Sequence, residues 1–310
     1  MDIESLNETY QQQYDAYRRI FERCGLEYVV VEAESGPIGG SASHEFMIPT
    51  PTGEDTILSD DGSDYAANVE KCEIGTRAVS KTFAPFSREP QASAALDPGD
   101  PTGDLEEVHT PDCKSIEDVC AFWKKDQGSK LKPQNMLKTI LYTVDYVSDA
   151  ELARPGRVIR ESGRPGATTP AFFQKNFLVV VRGDAEVNEG KLQQVLGRQL
   201  GGEFQLDLAD ESLANQQDFT IGYVGPHAVV EKSDVDLIVD PDAAVDQFWV
   251  TGANKVDYHV KHFHWKRDVL DRVAPARVVV ADIRNAVDGD PSARSVGTLH
   301  ERKGIEVGHV

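Results

Sequence analysis

The chain has 310 residues, 40% of them hydrophobic, which is enough for two domains, or one large domain with an insertion, built on real cores. Lysine and arginine number 32 against 52 aspartates and glutamates, a net charge of -20; this argues against a general nucleic-acid binder, whose phosphate contacts need a basic face, so any RNA contact has to be local. No apolar run approaches the ~20 residues of a membrane span, the acidic N-terminus lacks the parts of a signal peptide, and Cys24, Cys72, Cys113 and Cys120 form no CxxC pair, so a soluble cytoplasmic protein with reduced cysteines is expected.

In chain order, Leu6, Tyr10, Tyr14, Tyr17, Ile20 and Phe21 recur at the three-to-four spacing of an amphipathic helix over 4–23, with Gly25 as its stop. Residues 26–31 read as a strand, 32–40 as a loop, and 41–47 as a strand whose small and polar residues suit a pocket wall. By spacing alone, His44 and Glu45 read as a hydrogen-bonded pair near a sheet edge. Residues 53–57 continue as strand and 65–71 as strand and helix start. Residues 73–107, carrying Pro85, Pro90, Pro98 and Pro101 with little periodicity, read as a linker, so a new domain is expected from about 105. The Asp-rich stretch 97–104 resembles the solvated surface of a protein adapted to high salt. A short strand with a turn follows at 108–112, then a helix capped by Ser115 with acids in its first turn. Residues 136–144 read as a strand with Lys138 near its mouth, in itself an ordinary solvated lysine. Residues 150–170, rich in Arg, Gly and Pro, read as a long exposed hairpin or loop.

The chain is organised around 174–260. The apolar run 177–181, a helix near Lys191, a second apolar run at 237–240 and a third pattern at 248–254 read as buried strands separated by helices, an α/β sandwich whose loops carry the chemistry. Between them lies Gly222-Tyr223-Val224-Gly225-Pro226. Two glycines open backbone angles closed to other residues, and Pro226 stiffens the exit; such a loop presents main-chain N–H groups to a small ligand, although the same pattern also serves as a plain turn. At 258–265 a strand period of two puts His262 and His264 on one face and His259 on the other, so the three do not converge on an ion and no metal is expected. An apolar pattern at 278–284 is broken at 288–291, and the chain stops inside an apparent strand at 304–309, as a cut chain would.

These stretches also match a family pattern. Residues 39–47 (GGSASHEFM), 53–56 (GEDT), 64–71 (DYAANVEK), 137–139 (LKT), 181–184 (VRGD), 188–189 (NE), 252–254 (GAN), 281–285 (ADIRN) and 304–309 (GIEVGH) resemble, in order and over nearly the whole chain, bacterial-type prolyl-tRNA synthetase. The resemblance implies an α/β (α+β) protein in which a mixed-sheet editing domain, similar to free-standing deacylases of mischarged tRNA, is inserted into the antiparallel-sheet core of a class II synthetase. The implied division is 1–100 for core and linker, 101–272 for the editing insert and 273–310 for the returning core. Two class II motifs would precede residue 1 and the third would follow residue 310. The ATP and Mg²⁺ of the ligase, and a possible homodimer, therefore belong to a longer protein, while editing needs no cofactor. Editing has a physical motive, since a pocket shaped for proline gains only about 1–3 kcal/mol against the smaller alanine.

The implied partner is the acceptor end of tRNA(Pro) carrying alanine, and no membrane. The resemblance gives Lys138 the terminal adenosine or its phosphate, the Gly222, Gly225 and Pro226 loop the developing oxyanion, and Asp240 and His259 the walls of the alanine pocket. Ser43, His44 and Glu45 would line the proline pocket of the core. The sequence departs from the family where a frequent cysteine pair is replaced by Asp60 and Ser63. A non-catalytic module that only grips the tRNA acceptor end remains the alternative.

Overall fold

The computed structural model describes residues 3–33, 43–86, 103–126, 128, 130–146, 173–201 and 204–310. Two units divide them: Met1–Thr76 together with Asn285–Val310, and Arg77–Arg284. The expectations for most of the loop at 32–40, for the loop at 150–170, for 87–102 of the linker and for most of the Asp-rich stretch fall on residues outside those described.

In the smaller unit the aromatic stripe of the first helix, α1 (Ile3–Arg23), is real, and Gly25 ends it at φ +69, an angle that glycine adopts without strain. Phe21 is buried with its ring 5.4 Å from that of Phe46. Strands β1 (Val29–Glu32), β2 (His44–Pro49), β3 (Asp55–Asp60), β4 (Ala66–Asn68) and β13 (Leu299–His309) close into a barrel in the order β1-β2-β13-β3-β4. Neighbours are antiparallel except at the closing contact, where Glu32 pairs with Ala67 in parallel.

No helix starts after β4. The Asn68 side chain accepts from Lys71 N at 3.0 Å, a local bond that favours a turn over a helix. His44 and Glu45 are not bonded to each other, and β2 is flanked on both sides, so neither lies at a sheet edge. Successive strand residues face opposite ways. His44 Nδ1 meets the Tyr10 hydroxyl, while Glu45 gathers with Glu306 and His309, their ligand atoms all within 4.8 Å of one another. Burial, with Glu306 nearby, raises the Glu45 carboxyl above its ordinary range. Ser43 Oγ lies 2.6 Å from His309 Nε2. Asp60 and Ser63 are bonded at 2.6 Å, and Asp60 also accepts from Ser292 and Ser295 at 2.8 and 2.9 Å, so a carboxylate knot joins distant segments here.

In the larger unit, β5 (Glu106–His109), β11 (Tyr258–Phe263) and β10 (Trp249–Gly252) form a three-stranded antiparallel sheet. The second sheet runs β12 (Val278–Val280), β9 (Val235–Val239), β7 (Phe173–Arg182), β6 (Leu137–Tyr146), β8 (Phe204–Leu208). Its first three strands are parallel and the last two pair antiparallel, hence the mixed sheet. Helices α2 (Ile116–Asp126), α3 (Glu189–Leu200) and α4 (Glu211–Gln216) accompany them.

The continuous apolar run of β7 follows from burial on both faces. Leu178 and Val180 join one core, and Phe177, Val179 and Val181 another with Leu192 and Leu196 of α3. Asn188 caps α3, accepting from Lys191 N at 2.9 Å. No helix among the described residues is long and apolar enough to cross a membrane.

The larger unit extends beyond 101–272 at both ends. Val278–Val280 pair with 237–239 of β9, so the apolar pattern expected in the returning core completes this sheet instead. Residues 77–86 are no linker either: Phe83 is fully buried, its ring 5.3 Å from Trp265 in an edge-on contact. Arg77 fixes this segment. Its guanidinium meets Asp240 at 2.8 and 3.2 Å, Asp242 at 3.0 Å and Asp282 at 2.8 Å. Arg284 Nε adds 2.7 Å to Asp242, and Lys191 Nζ adds 2.8 Å to Asp282.

Candidate functional site

Where β6 begins, its backbone runs beside β10, with Thr251 Oγ1 donating to Leu137 O at 3.2 Å. A cavity of 460 Å³ opens there, within the ~300–1,000 Å³ usual for small-molecule sites. Its walls come from the start of α2 (Ser115, Ile116, Val119), from 137–141 of β6, from Ile221, Gly222 and Val224, and from Gly252 and His259. Lys114 and Lys138 stand at its edge, the latter bound to Glu186 at 2.6 Å. Lys138 is a half-buried cation on the lining of this cavity, in a protein that is otherwise strongly acidic.

The glycines divide into two kinds. Gly222 has φ +87, and a β-carbon there would meet only the Lys114 side chain at 3.8 Å, an ordinary contact, so it is needed for its angle. A β-carbon at Gly225 would lie 2.1 Å from Gly252 O, and one at Gly252 would lie 2.1 Å from Tyr223 O. These two permit backbone-to-backbone packing. Pro226 is buried as the first residue of the 3₁₀ turn Pro226–Glu231. Neither Gly225 nor Pro226 lines the cavity; they hold the loop that does. Within the described 221–224 stretch the main-chain N–H groups of Ile221, Gly222 and Val224 have no partner, whereas Tyr223 N donates to Thr220 O at 2.9 Å. All three of those residues line the cavity, and Gly222 and Val224 flank the tied Tyr223.

His259 is 4% exposed, with Nδ1 2.7 Å from Thr110 Oγ1 and its ring 5.8 Å from that of Tyr223, edge-on. Burial without a charged partner lowers its pKa to about 4, so near pH 7 it is a neutral wall. The folded state resists protonating His259, while the unfolded chain takes up that proton near the ordinary value of about 6.5. This contribution to stability is complete above about 6.5, is lost as pH falls from there to about 4, and is flat below. A single group with this shift is worth at most about 3 kcal/mol. Urea midpoints at pH 7 and pH 5 are expected to differ more in the wild type than in His259→Gln; an equal drop in both would sink this assignment.

Asp240 is not part of the cavity. It has no exposed surface, follows β9, and turns both carboxylate oxygens to Arg77, with Ile283 N donating to Oδ2 at 3.2 Å. Its charge is taken up in the core of the ionic network, so it does not wall an alanine pocket.

Residues without a motif of their own complete the site. Thr110 orients His259. Asn254, at φ +55, accepts from Thr220 N at 2.9 Å and donates its own N–H to Tyr223 O at 2.6 Å, fastening the glycine loop to β10. The Gly-Ala-Asn stretch at 252–254 carried that signal, but only its contact with 220–225 shows what it does. Ser115 caps α2 as expected, accepting from Asp118 N at 3.1 Å.

Residues 110–269 match the family model described as an aminoacyl-tRNA editing domain. A proline–tRNA ligase of Oleidesulfovibrio alaskensis is 36% identical over 311 residues, covering 100% of this chain and 43% of that protein. One of Thermoanaerobacter pseudethanolicus is 33% identical, covering 100% and 44%. The chain thus spans less than half the length of the curated relatives it matches. A solved structure, hypothetical protein APE2540, covers 59% of the chain at 14% identity and a TM-score of 0.38, a likeness too weak to carry an argument.

Proposed function

The chain belongs to the aminoacyl-tRNA editing domain family, and from that premise we propose that its larger unit hydrolyses alanine from mischarged tRNA(Pro), as the editing part of a proline–tRNA ligase. The observation that carries the reading is the meeting of Lys138, Gly222, Val224 and His259 around one cavity. The aminoacyl ester carbonyl lies against the N–H groups of Gly222 and Val224. Water attacks the carbonyl carbon, the two amides take the negative charge that develops on oxygen, and the ester C–O bond breaks as the ribose oxygen takes the proton the water gives up, leaving free alanine and a ribose hydroxyl. One such donor is commonly worth about 2.7–4 kcal/mol. Lys138, with Lys114 nearby, receives the terminal adenosine or its phosphate, and neutral His259 closes the space beside the alanine methyl against a prolyl ring. The hydrolysis consumes only water. ATP and Mg²⁺ are assigned to ligation by the longer protein, for which Ser43, His44 and Glu45 are proposed as part of the proline pocket.

The test is release of alanine from Ala-tRNA(Pro) beside release of proline from Pro-tRNA(Pro). Rapid loss of alanine alone is expected; binding of both without hydrolysis of either would leave the non-catalytic grip as the function. Lys138→Ala is expected to lower kcat/KM for Ala-tRNA at least about tenfold, or ~1.4 kcal/mol, while an ion pair this exposed adds only ~0–1 kcal/mol to stability. Unchanged hydrolysis would return Lys138 to the role of a surface lysine. His259→Ala is expected to narrow the preference for alanine over proline roughly tenfold by admitting the larger ring; full retention of that preference would place the sieve elsewhere.

A further inference from the structure

Strand β11 does not keep its period. Trp249 pairs with Phe263 and Thr251 with Val260, so Lys261 and His262 together stand opposite Val250, and His262 takes φ +60. A bulge of this kind re-aims side chains, and a non-glycine residue in this region is held there against its preference. Two contacts hold it: Arg267 Nη2 donates to His262 O at 2.6 Å, and Arg267 is itself bound to Asp268 at 2.7 Å. As a result Lys261 and His262, which a regular strand would send to opposite faces, line the same pocket.

That pocket has a volume of 380 Å³ and also takes in Lys130, Asn135 and Phe248. Phe248 is 40% exposed, yet two imidazoles fix its ring, His262 at 5.5 Å and His264 at 5.9 Å. Lys261 is steadied by Glu106 at 2.9 Å. In a chain of net charge -20, two lysines, a histidine and an amide around a fixed, open aromatic ring make a composition that suits a nucleobase and its phosphate. The pocket also adjoins the editing cavity along shared elements. On α2 Val119 lines the cavity and Trp123 this pocket, and on β10 Gly252 lines the cavity and Val250 this pocket. Four helical residues, or two of a strand, span about 6 Å.

We propose that this second pocket is an RNA subsite for the unpaired nucleotides just before the terminal adenosine, one base stacking on Phe248 and a phosphodiester lying by Lys261 and Lys130. The proposal rests on the editing function above. It makes the bulge a specificity element, since the pocket recognises the strand that delivers the ester and not the amino acid.

The test uses the whole chain and two probes, a labelled RNA hairpin with a four-nucleotide single-stranded 3′ end and the same hairpin made blunt, followed by fluorescence anisotropy at several salt concentrations. The overhang is expected to bind at least about tenfold more tightly than the blunt form. Phe248→Ala, at an exposed side chain, is expected to weaken overhang binding at least about fivefold, and Lys261→Gln to weaken it and flatten its salt dependence by about one unit of slope. For Ala-tRNA the same variants raise KM by a similar factor. Equal binding of the two hairpins, or unchanged overhang affinity in both variants, overturns the subsite. A wild type that discriminates the overhang but releases no alanine upholds the subsite and overturns the hydrolase reading; one that releases alanine with KM unmoved in both variants does the reverse.

Discussion

Replacing Arg77 with alanine is expected to destabilise the larger unit by about 3–5 kcal/mol, the usual result of removing one partner from a buried ionic network. The Arg77 side chain is 6% exposed and faces three aspartates, one of which, Asp240, has no solvent contact. Without the guanidinium, Asp240 keeps its charge with Arg284 at 3.8 Å and the N–H groups of Asp242 and Ile283, or takes up a proton at a cost of similar size. For a unit of about 150–250 residues each kcal/mol moves the melting temperature about 2–4 °C, so a fall of roughly 6–20 °C is expected in a calorimetric scan. A melting temperature within a degree of the wild type would show that the network is slack. The Lys138–Glu186 pair, exposed at its glutamate, carries no such stake.

The second large effect is on catalysis. A methyl group at Gly225 would stand 2.1 Å from Gly252 O, over an ångström inside ordinary contact, and neither backbone has a flexible side chain to give way. Gly225→Ala is therefore expected to push the 222–225 loop from β10 by about an ångström and carry the Val224 amide off line. Misplacement on that scale costs on the order of 10²-fold in rate. The expected result is a kcat for Ala-tRNA lowered about a hundredfold in a protein whose circular dichroism is unchanged. Full activity in Gly225→Ala would remove the loop from the mechanism, whereas the matching change at Gly222, where there is room, strains only the backbone angle.

Much of the fold was legible where local pattern and tertiary environment ask for the same thing. The run at 177–181 is apolar at every position because both faces of β7 are covered, and the stripe of α1 marks a helix with one covered face. Residues 77–86 were misread because prolines and scattered charges hide the two residues that matter, Arg77 and Phe83, whose partners lie some 160 to 205 positions away. The candidate site, too, depends on contacts that are not local in sequence. Lys138, Gly222 and His259 could be named from the family pattern, but the separate duties of Gly222 and Gly225 depend on Gly252 lying against the loop. Asp240 matched the family pattern, yet its carboxylate is spent on Arg77. The bulge at Lys261 and His262 could not be foreseen from a strict period of two, because a bulge is defined by the partner strand it faces.

Arg77 and Arg284 are the first and last residues of the larger unit, and both guanidinium groups end on one carboxylate, that of Asp242. A segment of more than two hundred residues thus begins and finishes at a single point. Chain ends that close on each other let a folded module be spliced into a surface loop of a host without prising it open. An excised 77–284 would therefore carry its own clasp, a pair of arginines locked on a shared aspartate that keeps its two ends together.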